Sequence, residues 1–311
     1  MDRPKLIAVL GPTASGKTDL AIDLAKEFNG EIINCDSRQV YREVMIGAAV
    51  EPGEWREYRQ GGRVVRRAWV AGGVPHYLIN FLAPQKMMSV AEFKAKAVWR
   101  AREIVRRGKT PFLVGGTGLY ANAVIDNFQL PEVPPDERFR RRMLRRPTEE
   151  LMRELEGKDP EYAARITPNP RYIVRALEVM RATGQKFSEL QSRGEPLFDV
   201  LQLGVARSRE ETYERINRRF DTMVHGGLLD EASRLGRRYG WDSPAASSLG
   251  HRQLGYYLRG KMTLSSAVQE AQKATRNYAK RQFTWFRRDK RINWVNSLSE
   301  AKKLAKKHLS E

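Results

Sequence analysis

Residues 11–18 read G-P-T-A-S-G-K-T, a complete Walker A loop that follows the apolar run Leu6–Leu10. That run has the length of a buried strand and helical periodicity begins at Asp19, which is the strand–turn–helix context that this loop needs. Its glycines let backbone N–H groups converge on an anion, and the helix dipole adds to the attraction. Lys17 supplies a mobile positive charge, and the Thr18 hydroxyl can coordinate Mg²⁺ or a phosphate oxygen. We therefore predict that a phosphate or diphosphate binds to the loop formed by Gly11, Pro12, Thr13, Ala14, Ser15, Gly16, Lys17 and Thr18.

The charge balance is the most unusual property of the 311-residue chain. Its 56 Lys and Arg residues outnumber its 37 Asp and Glu residues, which gives a net charge of +19 and an isoelectric point near 10.2. Such an excess favours a polyanionic partner, because each cation that docks on a phosphate releases counterions. The alternative, an arginine-rich solvated surface, is normally balanced by acidic residues. We therefore expect a nucleic acid partner.

The composition also indicates where the chain resides. A single cysteine, Cys35, excludes an intramolecular disulfide and is typical of a reducing compartment. The N-terminus leads directly into the first predicted strand, and no apolar run is long enough to cross a membrane. We expect a cytoplasmic protein with no membrane partner.

Short apolar runs alternate with helical patterns along the chain. They lie at Leu6–Leu10, Glu31–Cys35, Pro111–Val114, Val200–Val205 and Ile292–Val295. This alternation predicts an α/β fold with a P-loop NTPase-like parallel sheet flanked by helices. Ligands bind beyond the carboxyl ends of such strands. Three of these ends carry unusual chemistry: the P-loop, the run Asp36-Ser37-Arg38-Gln39 and the run Gly115-Gly116-Thr117-Gly118.

Two segments interrupt this pattern. The proline-rich stretch 129–135 is typical of a linker, and the basic sequence after it has helical character without a strand candidate. We predict an all-helical insertion domain over residues 129–192, with a P-loop core formed by residues 1–128 and 193–311. The second segment, residues 53–73, carries five arginines among apolar residues and is typical of a basic hairpin or a mobile flap.

Two interpretations of Asp36 stay open from the residues alone. A carboxylate at the end of the second strand can act as a general base toward a hydroxyl or amine beside a bound phosphate. It can equally cap the helix that follows. Thr117 either lines the same edge or belongs to a tight strand-to-helix turn. No Walker B carboxylate follows, and the four histidines lack the spacing of metal ligands, which disfavours an ATPase and a histidine metal site.

Basic residues recur in the insertion and near the C-terminus. The insertion holds Arg140 and the stretch Arg171–Arg175, and the predicted helix Ala267–Arg288 has an apolar face beside a basic stripe. Basic groups can track phosphates and aromatic rings can stack on unpaired bases, but an amphipathic helix gives the same pattern. We assign the aromatic side chains to the core and the arginines to RNA.

Together these motifs resemble the tRNA dimethylallyltransferases, also called tRNA isopentenyltransferases. The matching stretches beside the P-loop are D-S-R-Q-V-Y at 36–41, G-V-P-H at 73–76, S-V-A-E-F at 89–93, G-G-T-G-L-Y at 115–120, N-P-R-Y-I-V-R-A-L-E-V at 169–179, E-R-I-N-R-R-F-D at 214–221 and A-K-R-Q-F-T-W-F-R-R at 279–288. They span nearly the whole chain in the family's order. The pair D-S-x-Q-V-Y and K-R-Q-x-T-W is far more specific than a P-loop alone.

The resemblance implies transfer of a dimethylallyl group from dimethylallyl diphosphate to N6 of adenosine 37 in tRNAs that read codons starting with U. It implies that Asp36 is the general base and that Lys17, Thr18 and Arg219 hold the diphosphate with Mg²⁺, Thr18 being the metal ligand. A monomer would bind the anticodon stem-loop. The implied tRNA-binding residues are Asp36, Ser37, Arg38, Gln39, Thr117, Arg140, Arg171, Tyr172, Ile173, Val174, Arg175, Ser247, Gly250, His251, Arg252 and Arg281.

Two stretches depart from the family's usual sequence. Where the family has G-T-A-K-P, this chain reads Gly47-Ala48-Ala49-Val50-Glu51-Pro52, and the usual I-G-Y reads Leu249-Gly250-His251. Three alternatives stay open. An adenylate isopentenyltransferase would not need the basic insertion, a P-loop kinase would act on a nucleotide or RNA, and a non-catalytic RNA-binding protein would retain only a relic P-loop.

Overall fold

The computed structural model describes residues 3–129, 131, 133–190 and 192–311. Its internal contacts divide the chain into two units, Met1–Ile125 with Leu197–Glu311 and Asp126–Pro196. The sequence-based limits of the insertion, 129 and 192, lie a few residues inside those of the smaller unit.

The larger unit is built on a central sheet. In chain order the strands of the described residues are β1 (Lys5–Leu10), β2 (Gly30–Asn34), β3 (Gly53–Gln60), β4 (Arg63–Ala71), β5 (Val74–Tyr77), β6 (Thr110–Gly115), β7 (Phe128–Gln129), β8 (Ser192–Arg193), β9 (Asp199–Val205) and β10 (Ile292–Val295). The sheet order is β10-β9-β1-β6-β2-β5-β4-β3. Neighbouring strands from β10 to β5 are parallel, and β4 and β3 add an antiparallel hairpin. The predicted α/β class and all five predicted strands are confirmed.

In chain order the helices of the described residues are α1 (Lys17–Glu27), α2 (Val90–Arg106), α3 (Gly118–Ile125), α4 (Glu137–Met143), α5 (Thr148–Lys158), α6 (Pro160–Arg165), α7 (Pro170–Thr183), α8 (Phe187–Leu190), α9 (Arg209–Met223), α10 (Leu229–Tyr239), α11 (His251–Leu258), α12 (Leu264–Arg287) and α13 (Leu298–Ser310). Helices of the larger unit cover both faces of its sheet. A π-helical turn, Val224–Leu228, joins α9 to α10. No helix within the described residues is long and apolar enough to cross a membrane.

The alternation of β1 explains how two helical layers form. Successive strand residues point to opposite faces of the sheet. Leu6, Ala8 and Leu10 join a core with the apolar side chains of α2 and α3. Ile7 and Val9 join a second core with α1 and α13. A strand that is apolar at every position is therefore buried on both sides, as parallel strands usually are.

The smaller unit, taken by itself, is mainly helical. Helices α4 to α8 enclose a core that includes Phe139, Leu151, Ile173 and Leu177. The expectation that it is wholly helical was wrong, because β7 and β8 pair through two residues each. Phe128 pairs with Arg193 there, so a short antiparallel ladder joins the two ends of the helical segment.

The segment 53–73 forms the basic hairpin that its sequence predicts, and a buried carboxylate holds it. Glu31 on β2 is 0% exposed and pairs with three cations, Arg66 on β4, Arg107 at the end of α2, and Lys109. Tyr77 Oη donates to the same carboxylate at 2.7 Å. Burial alone would raise the pKa of Glu31, but hydrogen bonds from Arg107, Tyr77 and Lys109 lower it to about 2.

We expect Glu31→Gln to destabilise the protein by about 3 kcal/mol at pH 7, because three cations lose their shared buried partner. The pKa of Glu31 lies below its ordinary value of 4.5, so the unfolded chain binds the extra proton. The stabilisation is therefore complete above about pH 4.5 and disappears as the pH falls toward 2. Urea unfolding of the wild-type protein and of Glu31→Gln at pH 7 and at pH 3 measures how their difference in free energy of unfolding depends on pH.

The matched control is Glu27→Gln, which removes a carboxylate from the exposed pair with Lys302. It should change the free energy of unfolding by less than about 1 kcal/mol. Equal losses for the two variants at pH 7 would contradict the role of Glu31.

Candidate active site

The P-loop, residues 11–18, has the backbone of an anion cradle. Gly11 and Gly16 have φ angles of 152° and 93°, which side-chain-bearing residues rarely adopt, and Gly16 caps the N-terminus of α1. Lys17 Nζ folds over the loop and donates to the carbonyl of Pro12 at 3.3 Å. The buried Ser15 hydroxyl has no hydrogen-bond partner among the described residues. An orphaned hydroxyl beside converging N–H groups at a helix N-terminus fits a phosphate ligand.

Three arginines, two on α9 and one just before it, donate hydrogen bonds to this loop. Arg219 Nη2 donates to Thr13 Oγ1 at 2.6 Å, Arg215 Nε to the carbonyl of Ala14 at 2.8 Å, and Arg207 Nε to the carbonyl of Ser15 at 3.0 Å. The sequence singled out only Arg219. Arg215 and Arg207 thus hold the carbonyl groups of Ala14 and Ser15 toward cations, while Arg219 holds the Thr13 hydroxyl.

Gln282 on α12 connects the P-loop to the loop that follows β6. Its Oε1 accepts from the backbone N–H of Thr13 at 2.9 Å, and its Nε2 donates to the carbonyl of Gly116 at 2.7 Å. The side chain is 5% exposed, so both bonds are sheltered from water. One amide thus fixes the spacing between two of the three strand ends that carry chemistry.

Asp36 lies at the third strand end, where it caps a turn rather than the helix that the sequence suggested; its role as a general base stays a prediction. Its Oδ1 accepts from the backbone N–H of Arg38 at 2.8 Å and of Gln39 at 3.4 Å, which is a cap of the turn that follows. Its Oδ2 accepts no hydrogen bond from the described residues. Asn34 holds the backbone of Asp36 through both of its amide atoms. Thr117 Oγ1 accepts from the N–H of Ser37 at 3.0 Å and ties this turn to the β6 loop.

Several of these groups line one cleft. Its lining includes Lys17, Thr18, Asn34, Asp36, Gln39 and His76. Burial lowers the pKa of Lys17 to about 8 against the attraction of Asp36, and it also lowers the pKa of Arg219. Lys17 in the cleft and Arg219 near it are thus two poorly solvated cations with one carboxylate between them, an arrangement that an anionic ligand would stabilise.

Two neutral groups complete the surroundings of the cleft. Burial lowers the pKa of His76, so its ring is uncharged at neutral pH. Burial and the charge of Asp36 raise the pKa of Tyr278 to about 12, so its phenol stays protonated. Asp36 is therefore the one carboxylate in the lining of this cleft and its natural proton acceptor.

The donor set fits a magnesium ion that is bound together with a diphosphate. Mg²⁺ usually takes one or two protein oxygens, keeps several waters and receives the rest of its ligands from phosphates. The Thr18 hydroxyl and the Asp36 carboxylate share the cleft lining. No group of three or more His, Cys, Asp or Glu side chains suited to a metal occurs in the described chain, so a preformed protein cage is not present there.

A second buried carboxylate organises the loop after Asp36. Glu231 accepts the backbone N–H groups of Met45, Ile46 and Gly47 at 2.8–2.9 Å, and His251 Nε2 lies 2.8 Å from it. Burial would raise the pKa of Glu231, but the hydrogen bonds from His251 and these N–H groups lower it. Gln39 Nε2 donates to the carbonyls of Ala48 and Ala49 at 3.1 Å each. The orientation of Gln39 in the cleft thus depends on the loop that Glu231 holds.

The expected tRNA-binding residues fall into two groups. Arg38, Arg171, Tyr172, Arg252 and Arg281 are exposed, and Ser37, Gln39, Thr117 and Ser247 are partly exposed. The side chains of Ile173, Val174 and His251 are at most 2% exposed, and Gly250 is buried. The structure corrects the prediction that these buried side chains contact RNA. Ile173 and Val174 fill the core of the smaller unit, and His251 holds Glu231.

Arg140 and Arg175 have an internal partner in the smaller unit. Both pair with Glu178, which is 3% exposed, at 2.8 and 2.6 Å. Arg175 also donates to the carbonyl of Val133. Their charge is therefore used first to compensate a buried carboxylate.

On α12 the assignment of Phe283 and Phe286 to the core is confirmed, whereas Trp285 is 42% exposed and donates to Asn122.

Sequence reasoning missed the residues that hold the site together. Gln282, Arg215 and Glu231 each act on a loop more than 160 positions away along the chain. Gln282 and Arg215 do lie inside the stretches 279–288 and 214–221 that the resemblance matched, which was the available signal.

Comparisons with known proteins agree on one family. The IPP transferase family model matches residues 39–289, and the isopentenyl transferase model matches residues 4–58. The tRNA dimethylallyltransferase of Anoxybacillus flavithermus is 38% identical over 295 residues, which cover 94% of this chain and 90% of that protein. The tRNA dimethylallyltransferase 2 of Geotalea uraniireducens is 41% identical over 304 residues, with coverages of 94% and 93%.

Solved structures give the same result. The full-length tRNA isopentenylpyrophosphate transferase of Bacillus halodurans superposes with a TM-score of 0.71 at 36% identity, over 99% of this chain and 97% of the other. A eukaryotic dimethylallyltransferase acting on tRNA superposes with a TM-score of 0.74 at 26% identity, over 98% of this chain and 77% of the other.

We expect Gln282→Met to lower stability by about 2 kcal/mol, because a buried N–H and a buried carbonyl lose their partner. It should also reduce the rise in melting temperature that inorganic diphosphate produces, since the P-loop loses its fixed position. Differential scanning fluorimetry with and without inorganic diphosphate measures both effects. The control Gln272→Met, on the same helix, removes a largely solvent-accessible bond to Asp221 and should leave the diphosphate response intact. An unchanged response in Gln282→Met would remove this residue from the site.

Proposed function

The chain belongs to the IPP transferase family of tRNA prenyltransferases, and we propose that it transfers a dimethylallyl group from dimethylallyl diphosphate to N6 of adenosine 37 in tRNA. One observation carries this proposal at the level of residues. Lys17 and the carboxylate of Asp36 line the same cleft, and Asp36 acts electrostatically on both Lys17 and Arg219, so a leaving diphosphate and a departing proton would have separate, adjacent acceptors.

The reaction needs strong stabilisation of its leaving group. An exocyclic amine is a poor nucleophile, so the C1–O bond of the donor breaks as N6 bonds to C1, and negative charge develops on the diphosphate. We propose that Lys17 and Arg219, which both contact the P-loop, stabilise that charge together with the N–H groups of the loop. N6 then loses its proton to Asp36, whose Oδ2 is the oxygen not used in capping the turn.

We propose that Mg²⁺ binds with the diphosphate, with Thr18 as its protein ligand. A bound Mg²⁺ would neutralise part of the charge on the diphosphate. Lys17 and Arg219 supply the remaining compensation from the chain itself.

We propose the anticodon stem-loop as the part of tRNA that binds. The target base has to leave its stack to reach Asp36 in the cleft, as in other enzymes that act on bases. Ser37, Arg38 and Gln39 follow Asp36 directly, and we propose that they contact that base. In the smaller unit the exposed Arg171 and Tyr172 offer a cation and a stacking surface to the RNA. We also propose that the protein is a monomer that acts in the cytoplasm.

The excess of positive charge favours this function over prenylation of a free nucleotide. A free adenylate would be held by the cleft alone and would not require a chain with a net charge of +19.

Incubation with dimethylallyl diphosphate, Mg²⁺ and an anticodon stem-loop containing A36-A37-A38 should add one isopentenyl group to adenosine. Nucleoside mass spectrometry detects the product. Transfer to AMP and none to the stem-loop would identify an adenylate isopentenyltransferase instead. No transfer to either acceptor, with ATP but not the prenyl diphosphate raising the melting temperature, would indicate a kinase.

Asp36→Asn should slow the single-turnover rate by about 10²–10⁴-fold, because the amide cannot accept the N6 proton. Asparagine caps turns and helices as well as aspartate does, so the turn after β2 should persist and tRNA binding should change little. Asp36→Ala removes both functions and serves as the comparison. A single-turnover rate for Asp36→Asn equal to wild type would exclude Asp36 as the base.

A further inference from the structure

The hairpin of β3 and β4, residues 53–71, extends well beyond the sheet that carries it. Of the nine residues of β4, Trp69, Val70 and Ala71 pair with β5, and the six before them, Arg63–Ala68, lie beside β3 alone, with Val65 unpaired at a β-bulge. At about 3.4 Å per residue this leaves a two-stranded ribbon of about 20 Å. Every residue from Arg59 to Val65 is exposed. We call the hairpin the basic ribbon.

The topology places the basic ribbon at the site edge of the sheet. β5 is parallel to β2, and β4 is antiparallel to β5, so β4 begins at the edge where β2 ends. The ribbon therefore leaves the sheet at its carboxyl edge, which also carries the P-loop and Asp36, while the side chain of Arg66 reaches back to Glu31 near the start of β2. Gly61 and Gly62 at its tip have positive φ angles of 55° and 76°, as a tight hairpin turn requires.

The surface of the basic ribbon is strongly cationic. Its five arginines are opposed by two glutamates, Glu54 and Glu57, which leaves a net charge of +3. The pairs Arg56–Glu54 and Arg59–Glu57 are largely exposed and weak, so these guanidinium groups are available to a stronger anion. Arg63 makes no ion pair with the described residues, and the exposed Trp55 lies under the guanidinium of Arg67.

An isolated two-stranded ribbon is only marginally stable in water, so its base must be held. Arg66 holds the base of the ribbon by pairing with the buried Glu31 and by stacking its guanidinium on the Tyr58 ring, 3.7 Å from the ring centroid. The base is thus anchored while the outer part stays solvated on both faces. Arginine forks match the geometry of phosphate oxygens, and the wide exposed face suits a backbone rather than a pocket-sized ligand.

We propose that the basic ribbon is an arm that binds the phosphate backbone of the substrate tRNA next to the site. This inference rests on the proposed function for the identity of the RNA. Pairing of β3 with a second copy of the chain is disfavoured, because two ribbons of charge +3 would repel each other.

The test compares Arg59→Ala/Arg63→Ala with a matched double variant, Arg102→Ala/Arg106→Ala. The control removes the same charge from exposed arginines near the C-terminal end of α2, which leads into the start of β6 at the opposite edge of the sheet. The Kd for an anticodon stem-loop RNA is measured by fluorescence anisotropy from 50 to 300 mM KCl. Circular dichroism melts show whether each variant folds as wild type does.

The ribbon variant should raise the Kd at 150 mM KCl about tenfold and lower the slope of log K against log salt by about 1.5, because two phosphate contacts are lost. The control variant should change the Kd and the salt slope much less than the ribbon variant does. Arg59→Lys/Arg63→Lys should retain most of the salt slope, since the charges remain. Equal Kd values and slopes for the two alanine variants would overturn the proposal.

Two further readouts separate the possible failures. Binding is measured without catalysis, so an effect of the ribbon on Kd is visible even if no dimethylallyl transfer occurs and the proposed reaction is wrong. Sedimentation velocity tests the alternative that the ribbon binds a second copy of the chain. A wild-type dimer that Arg59→Ala/Arg63→Ala dissociates, with RNA binding unaltered, would assign the ribbon to self-association and overturn the proposal.

Discussion

The two hydrogen bonds of the Gln282 amide are the constraint on which the site depends. A parallel sheet brings several loops to one edge, but it does not fix the distance between them. Gln282 binds the N–H of Thr13 and the carbonyl of Gly116, and so sets the spacing of the P-loop and the β6 loop. Thr117 passes this spacing on to the turn that carries Asp36. The diphosphate cradle and the carboxylate are therefore positioned as one assembly, by a residue that touches neither substrate.

The same assembly is electrostatically incomplete without a ligand. Burial lowers the pKa of both Lys17 and Arg219, and Asp36 is the one carboxylate among the residues that line the cleft with Lys17. Charges held away from water are unfavourable unless an opposite charge compensates them. An anionic ligand such as the proposed diphosphate would supply that compensation, most of all where negative charge develops on a leaving group.

The sequence predicted the parts of the site that follow strands, but of the residues that reach the P-loop from helices it predicted only Arg219, on α9, through the family resemblance. Lys17, Asp36 and Thr117 come directly after β1, β2 and β6, so strand periodicity alone brings them to one edge. Gln282 and Glu231 lie on α12 and α10, and their contacts depend on helix packing that no local pattern encodes. For the same reason, the positive charge of Arg140 and Arg175 did not reveal that these side chains have an internal partner. Arg140 and Arg175 look like RNA ligands in the sequence, yet a buried carboxylate, Glu178, takes both of them.

The two departures from the family's sequence turn out to be one structural feature. A Cβ added at Gly47 would lie 2.1 Å from the ring of His251, so the ring that replaces the usual tyrosine packs directly against the altered loop. His251 also contacts Glu231, which holds that loop through three backbone N–H groups. The loop in turn holds Gln39 through the carbonyls of Ala48 and Ala49, contacts that any side chain at those positions could provide. The loss of the usual threonine and lysine therefore leaves the support of Gln39 intact, because that support runs through the backbone. What the chain has changed is the buried packing behind the loop, and the cleft in front of it keeps the same framework.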